Sequence, residues 1–164
     1  MPFPAIRSRS RSAVSAFGII VVTTLIAGTL KLLGAFAVHG YVLGNTPPGR
    51  ILQATARGVF GNAAFTGGGT TAYWGLGLHY LVTLLFTLLY FAWYPYVPYL
   101  HKYWVRSGLL YGIFVWGMMN LVVLPFSRAG APALNLQAVA WGAALVVAFV
   151  GLPIACAAHR FLRR

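Results

Sequence analysis

The sequence predicts an all-α, polytopic membrane protein: four transmembrane helices, with a short amphipathic interfacial helix between the first and the second. Three observations carry that reading. Only 7% of the 164 residues are charged and 60% are hydrophobic, with a mean hydropathy of +0.79. A water-soluble domain has roughly 25% charged residues to clothe its surface. Four stretches reach the length of about 20 apolar residues that crosses roughly 30 Å of hydrocarbon. The charge is also one-sided, with 12 Lys plus Arg against no Asp or Glu, a formal +12, and the basic residues sit beside the apolar stretches rather than on one patch.

The spans fall at about residues 16–38, 71–94, 105–126 and 134–158, forming one transmembrane bundle in a single domain. The first follows a basic segment and contains Ala35-Phe36-Ala37, which resembles a signal-peptide cleavage site. Its apolar run is longer than a signal-peptide core, and Lys31 interrupts it, so an uncleaved helix is expected. Asn45-Thr46-Pro47-Pro48-Gly49 is a turn cluster. Beyond it, residues 50–60 show helical amphipathicity: Ile51, Leu52, Thr55 and Val59 share one arc, with Arg50, Gln53 and Arg57 opposite. That segment is too short to cross a bilayer. It is expected to lie in the outer interface or to pack across the bundle mouth. Gly67-Gly68-Gly69 breaks the chain before the second span and lacks the Lys and Ser/Thr of a phosphate loop. Pro125 and Pro153 are expected to kink or end their helices, as membrane helices tolerate.

Orientation follows from the basic residues. Arg7, Arg9 and Arg11 precede the first span, Lys102 and Arg106 lie between the second and third, and Arg160, Arg163 and Arg164 follow the fourth. The opposite side holds Arg50, Arg57 and Arg128. Four spans then place both termini in the cytoplasm, with the six terminal arginines contacting anionic lipid headgroups. Tyr73 and Trp74 at one end of the second span, and Trp93, Tyr94, Tyr96, Tyr99, Tyr103 and Trp104 around the next turn, read as aromatic belts. Arg7-Ser8-Arg9-Ser10-Arg11-Ser12 resembles an RS segment, but no RNA-binding module has room, and no nucleic-acid partner is expected.

Several residues carry a likeness. Arg50-Ile51-Leu52-Gln53, Gly61-Asn62-Ala63-Ala64-Phe65 with its following glycines, Gly77-Leu78-His79, Tyr111-Gly112, and above all Met119-Asn120-Leu121-Val122-Val123-Leu124-Pro125-Phe126-Ser127 resemble segments of small bacterial four-helix integral membrane proteins. A weaker likeness, in hydropathy and in the His-bearing helix, extends to the YagU-like inner-membrane proteins associated with acid resistance. The resemblance covers residues 23–128. It implies a four-helix inner-membrane fold, a location in the bacterial inner membrane and no established reaction. Those relatives carry an acidic residue near Thr29-Leu30-Lys31, where this chain has Lys31. Any proton or cation role of that acid is lost or inverted here.

The chemistry available is narrow. Without carboxylates, neither glycosidase nor aspartic-protease chemistry exists within the chain, and a Ser-His-Asp triad lacks its acid. Cys156 is the lone cysteine, so there is no internal disulfide or thiolate cage. The four histidines show no metal-ligand spacing. Haem held between His39 and His79 is the one cofactor arrangement conceivable, and no cofactor or metal is expected.

The informative constellation is one of depth. At about 1.5 Å per residue, Lys31 and Asn120 each lie roughly 22 Å along their helices and His79 roughly 12 Å in from the outer side, so all three share the outer half of the membrane. Lys31 is expected to snorkel to the headgroups. The alternative is an intramembrane polar cluster of Lys31, His79 and Asn120, in which the amine must lose its proton, bind an anion or meet an acid from another subunit. For Asn120 an interhelical hydrogen bond is expected. Gly108 and Gly112 form a GxxxG spacing suited to close helix packing. The function expected is non-enzymatic: an accessory, assembly or stress-related membrane component acting through lipid, an acidic membrane-protein partner or a homo-oligomer. The alternative is a small oligomeric transporter or channel for an anion or proton-linked solute. A third, membrane-embedded enzyme would use His79 as base.

Overall fold

The computed structural model describes residues 7–44, 46–130 and 135–162, with side chains from residue 16 onward; Asn45, Leu134, Arg163 and Arg164 lie outside the described residues. All regular structure in them is helical, with no strand. Four helical stretches, Ala16–Val42, Gly68–Tyr96, Trp104–Phe126 and Leu136–Leu162, are long and apolar enough to cross a membrane. Each departs from its expected boundaries by no more than a few residues.

Helix α1 (Arg7–Ala37) runs on into a π-helical turn, Val38–Val42. Arg7, Arg9 and Arg11, expected ahead of the first helix, lie within its first turns, because nothing between Arg7 and Ala16 breaks a helix. Helix α2 (Pro48–Phe60) starts where proline is best tolerated, with Pro47 extended and Pro48 in the first turn. It ends at Gly61, whose φ of 60° suits glycine. Helix α3 (Gly68–Trp93) ends in a 3₁₀ turn at Tyr94–Tyr96, and the short α4 (Pro98–Lys102) leads to α5. Helix α5 comprises Trp104–Gly117, a π-helical stretch Met118–Val123 and a last turn Leu124–Phe126. Helix α6 comprises Leu136–Val146, π-helical Val147–Gly151 and Leu152–Leu162. It opens on Asn135, whose side chain accepts hydrogen bonds from the Gln137 and Ala138 amides at 3.0 and 3.3 Å.

The two long helices that carry an internal proline each widen just before it. Proline removes an N–H and crowds the carbonyl four residues back. For Pro125 that carbonyl is Leu121's and for Pro153 it is Phe149's, and each lies inside the π-helical stretch preceding its proline. The helices widen ahead of both prolines; α6 then continues through Pro153, whereas α5 ends at Phe126, one residue after Pro125.

Glycines set the closest helix approaches. A Cβ on Gly151 would run into the Gly108 carbonyl and the Gly112 backbone, and one on Gly112 would meet Val147 Cα. The Gly108/Gly112 face of α5 therefore lies directly against α6, and Gly151, which spacing alone did not single out, completes the crossing. On the other flank of the bundle, Gly28 of α1 leaves room for the Tyr80 ring, and Tyr80 Oη lies 2.7 Å from Thr29 Oγ1. Helices α3 and α5 meet through long side chains at the termini end, where Tyr90 donates to Ser107 Oγ at 2.8 Å and Tyr111 donates to the Phe86 carbonyl. The main core, Ala27, Tyr90, Tyr94, Tyr111, Ile154 and Ala155 among others, fills this end.

Tyr94 departs from the aromatic-belt expectation. It is fully buried, its ring packed 4.3 Å from His101, while Tyr73, Trp74 and Tyr96 are exposed as a belt requires. The His101 Nε2–H donates to the Tyr94 carbonyl at 2.6 Å, so the turn folds back over the ring.

Helix α2 packs along the start of α3. Gly75 allows its backbone to approach Leu52 and Ala56, Gln53 donates to the Gly68 carbonyl at 2.8 Å, and the Arg128 amide donates to the Gly58 carbonyl at 3.0 Å. The expected polar arc is corrected at Gln53, which is buried against α3; Thr55 and Gly58 border the space below, as does Val59, itself 47% exposed. Replacing Gly75 by leucine is expected to lift α2 off α3. Amide hydrogen exchange across residues 48–60 should then accelerate while the long helices stay protected. Unchanged protection of α2 would show that this approach does not hold it.

Candidate functional site

Beneath α2, between α3 and α5, lies a partly open cavity of about 560 Å³. All four long helices and α2 contribute to its wall. Most of the lining is apolar, with Leu78, Val82, Phe86, Met119, Val123 and Val150 prominent, and its polar members are Lys31, His39, Thr55, His79, Thr83 and Ser127.

Lys31 reaches this cavity because of its position on α1. Ala27 and Ala35, four residues either side, are buried at 0% and 6% exposure, whereas Leu33 is 57% exposed. Residues four apart share a helix face, so Lys31 belongs to the inward face. Lys31, half-buried, is one of the residues that line the cavity, which is the alternative to the snorkelling expectation. Among the described residues it has no hydrogen-bond partner, and the chain offers no Asp or Glu to pair with it.

His79 is buried on the facing helix α3, and its Nε2–H donates to the Gly28 carbonyl at 2.9 Å. A carbonyl can only accept, so that bond places a proton on Nε2 and leaves Nδ1 as the acceptor in the neutral ring. Its ring sits edge-on to Tyr80, 5.4 Å between centroids. His39 lies in the π-helical end of α1, and its Nδ1–H donates to the Ala35 carbonyl at 3.1 Å. The two histidines considered as a haem pair thus border one cavity, each with a ring nitrogen already engaged by backbone.

Asn120 is not brought to Lys31 and His79. Its amide donates to the Trp116 carbonyl of its own helix at 2.8 Å, and it does not line the cavity. It falls in the π-helical stretch, where each turn takes in more than four residues. Val115, Met119 and Val123 therefore stay aligned on the cavity wall, and Asn120 is rotated off it.

A feature that sequence reading missed runs down α3 from the cavity. His79, Thr83, Thr87, Tyr90 and Tyr94 are all buried on one face, at spacings of four, four, three and four. Thr83 and Thr87 each donate to the carbonyl four residues back, at 2.8 Å. The signal was present as a polar stripe at helical period inside an otherwise apolar helix.

Of the basic residues assigned to headgroups, Arg160 is exposed at the end of α6. The side chains of Arg7, Arg9 and Arg11 lie outside the described residues, as do Arg163 and Arg164. On the α2 side, Arg50 lies over the Phe65 ring at 5.8 Å, and Arg57 Nε is buried without a hydrogen-bond partner among the described residues.

Chemically, the arrangement offers one amine, the two histidine ring nitrogens not engaged by backbone, and a largely apolar chamber. It can receive and neutralise an anionic group. Compared with known protein families, with curated proteins and with solved structures, the chain matches none.

Proposed function

We propose that this chain is a four-span protein of the bacterial inner membrane, both ends cytoplasmic, that acts by association and not by catalysis and takes an anionic group into its central cavity. The observation that carries this is Lys31: a half-buried lysine on the cavity wall in a chain without one Asp or Glu. An ionisable side chain at membrane depth without a counterion is costly, so such residues mark binding or transport sites in membrane proteins. Membrane residence is supported by the outward faces of the long helices, which present Leu25, Leu85, Leu110, Ile113 and Leu121. An apolar perimeter of that extent would drive aggregation in water. The excess of basic residues on the side of the termini favours a cytoplasmic location for both ends, with the six terminal arginines against anionic lipid. Helix α2 then lies at the outer face as the roof of the cavity.

The test is purification in mild detergent followed by mass spectrometry of the small molecules and lipids that remain bound. The wild-type protein is expected to carry an anionic species that Lys31→Met lacks. Identical spectra from the two would remove the cavity from the proposal. For topology, alkaline phosphatase fused after Arg164 is expected to be silent, and fused after Thr46 active. Activity at Arg164 would overturn the four-span orientation.

A second reading, transport of an anion or proton-linked solute, is favoured by the buried polar stripe from His79 to Tyr94. Liposome flux that disappears in Thr87→Val would support it. Tight binding without flux would leave binding alone.

A further inference from the structure

Resting on the proposal that the cavity takes an anionic group, we infer that its ligand is a monoanionic amphiphile: one acid headgroup, most simply a carboxylate, on an apolar body.

The inference comes from counting which donors remain uncommitted. Around the cavity, the Thr83 hydroxyl donates to the His79 carbonyl at 2.8 Å, the Ser127 hydroxyl to the Leu124 carbonyl at 2.8 Å and the Thr55 hydroxyl to the Ile51 carbonyl at 3.5 Å. His79 Nε2–H is engaged by Gly28 and His39 Nδ1–H by Ala35. Every polar lining residue except Lys31 has therefore spent its proton on a backbone carbonyl. The Lys31 amine is the one free donor the described lining offers.

A small hydrated anion must exchange its water shell for several protein donors, or the cost of burial is not recovered. One ammonium does not replace that shell. A ligand with a single acid group and a hydrocarbon body needs only one such donor, because the rest of its surface prefers the wall formed by Leu78, Val82, Phe86, Met119 and Val150. Most small-molecule sites are built this way, as an apolar chamber of roughly 300–1,000 Å³ with few polar groups to fix orientation. The 560 Å³ here falls within that range.

Charge also selects the headgroup. Lys31 supplies one positive charge, and each histidine has a ring N–H committed to a backbone carbonyl. A carboxylate monoanion is neutralised, whereas a phosphate monoester near its dianionic form leaves a net negative charge in a low-dielectric chamber. The headgroup sits at Lys31 on the α1 wall, with the hydrocarbon directed toward Phe86 and Val150.

The experiment uses the full chain in nanodiscs of zwitterionic lipid, titrated with cis-parinaric acid, whose fluorescence rises on leaving water. Saturable binding above that of empty nanodiscs is expected, displaced by long-chain fatty acids. The methyl ester, with the same chain and no charge, should bind at least about tenfold more weakly, as should the acid to Lys31→Met, since each change removes one member of the charge-assisted hydrogen bond. Lys31→Arg should keep binding, and Val82→Trp, which fills the chamber, should lose it. Circular dichroism and size-exclusion profiles identify any variant that fails to fold. Equal affinity for acid and ester, or an unchanged affinity in Lys31→Met, would overturn the inference. Lysophosphatidic acid competing better than oleate would also overturn it, by assigning the site to a phosphate headgroup. If parinaric acid fails while chloride or inorganic phosphate binds in a Lys31-dependent way by calorimetry, the amphiphile is wrong and the anion site stands. If no probe depends on Lys31, both fall.

Discussion

Replacing Lys31 by methionine is expected to stabilise the empty bundle while removing its response to ligand. The amine lies on the cavity wall with no hydrogen-bond partner among the described residues and no carboxylate in the chain. Holding it there lowers the stability of the ligand-free state. Methionine has nearly the same length and reaches the same chamber without a charge. Substitution of buried ionic groups by apolar ones of similar shape is often neutral or stabilising by about 1–4 kcal/mol. The unfolding midpoint in detergent is therefore expected to rise in Lys31→Met. Added ligand should then stabilise the wild type and leave the variant unmoved, since binding adds stability only to a state that binds. Such an opposition between stability and function is characteristic of sites. Loss of stability in the folded variant would mean instead that Lys31 has a structural partner.

The largest expected stability loss belongs to Gly151→Leu. The Gly151 backbone lies against the Gly108 carbonyl and the Gly112 backbone, so a side chain must push α5 and α6 apart along their whole crossing. Overpacking a core costs typically 1–3 kcal/mol, and the cost is higher where the obstacle is backbone. A loss of at least about 3 kcal/mol is expected, a large fraction of the roughly 5–15 kcal/mol that holds a domain folded. Gly77→Leu is the control: nothing lies within 4 Å of the Cβ position there, and little change is expected. Urea titration of both variants, followed by tryptophan fluorescence, measures the contrast. Similar midpoints would show that the α5–α6 crossing yields easily.

Much of the fold was legible because it rests on composition and length. Four apolar stretches, the turn at Pro47-Pro48 and the short helix after it follow from hydropathy and from proline chemistry. Gly108 and Gly112 could be named from spacing, but their partner Gly151 could not, since nothing local marks which glycine on another helix they meet. The site was half legible. Lys31 and His79 stood out as polar groups at matching depth, yet the inward direction of Lys31 depends on its neighbours. Ala27 and Ala35 form a small-residue face that could have signalled it, and the long stem of lysine made snorkelling the simpler expectation. Asn120 misled because depth was reckoned on an ideal α-helix, and the widened turn before Pro125 changes which side chains face inward. Gln53 misled for a related reason: a polar residue on an amphipathic helix was assigned to water, whereas Gly75 lets α2 approach closely enough to bury it.

The account turns on where the side chain at position 31 points, and spin labelling measures that directly. With Cys156 replaced by alanine, a nitroxide is placed at position 31 and, separately, at position 33 of α1, and the protein is reconstituted into bilayers. Dissolved oxygen concentrates in the hydrocarbon and broadens labels that face lipid. Leu33, 57% exposed on the perimeter, should give strong oxygen relaxation and Lys31 weak relaxation with restricted motion. Relaxation at position 31 as strong as at position 33 would place Lys31 in the lipid and contradict the cavity site.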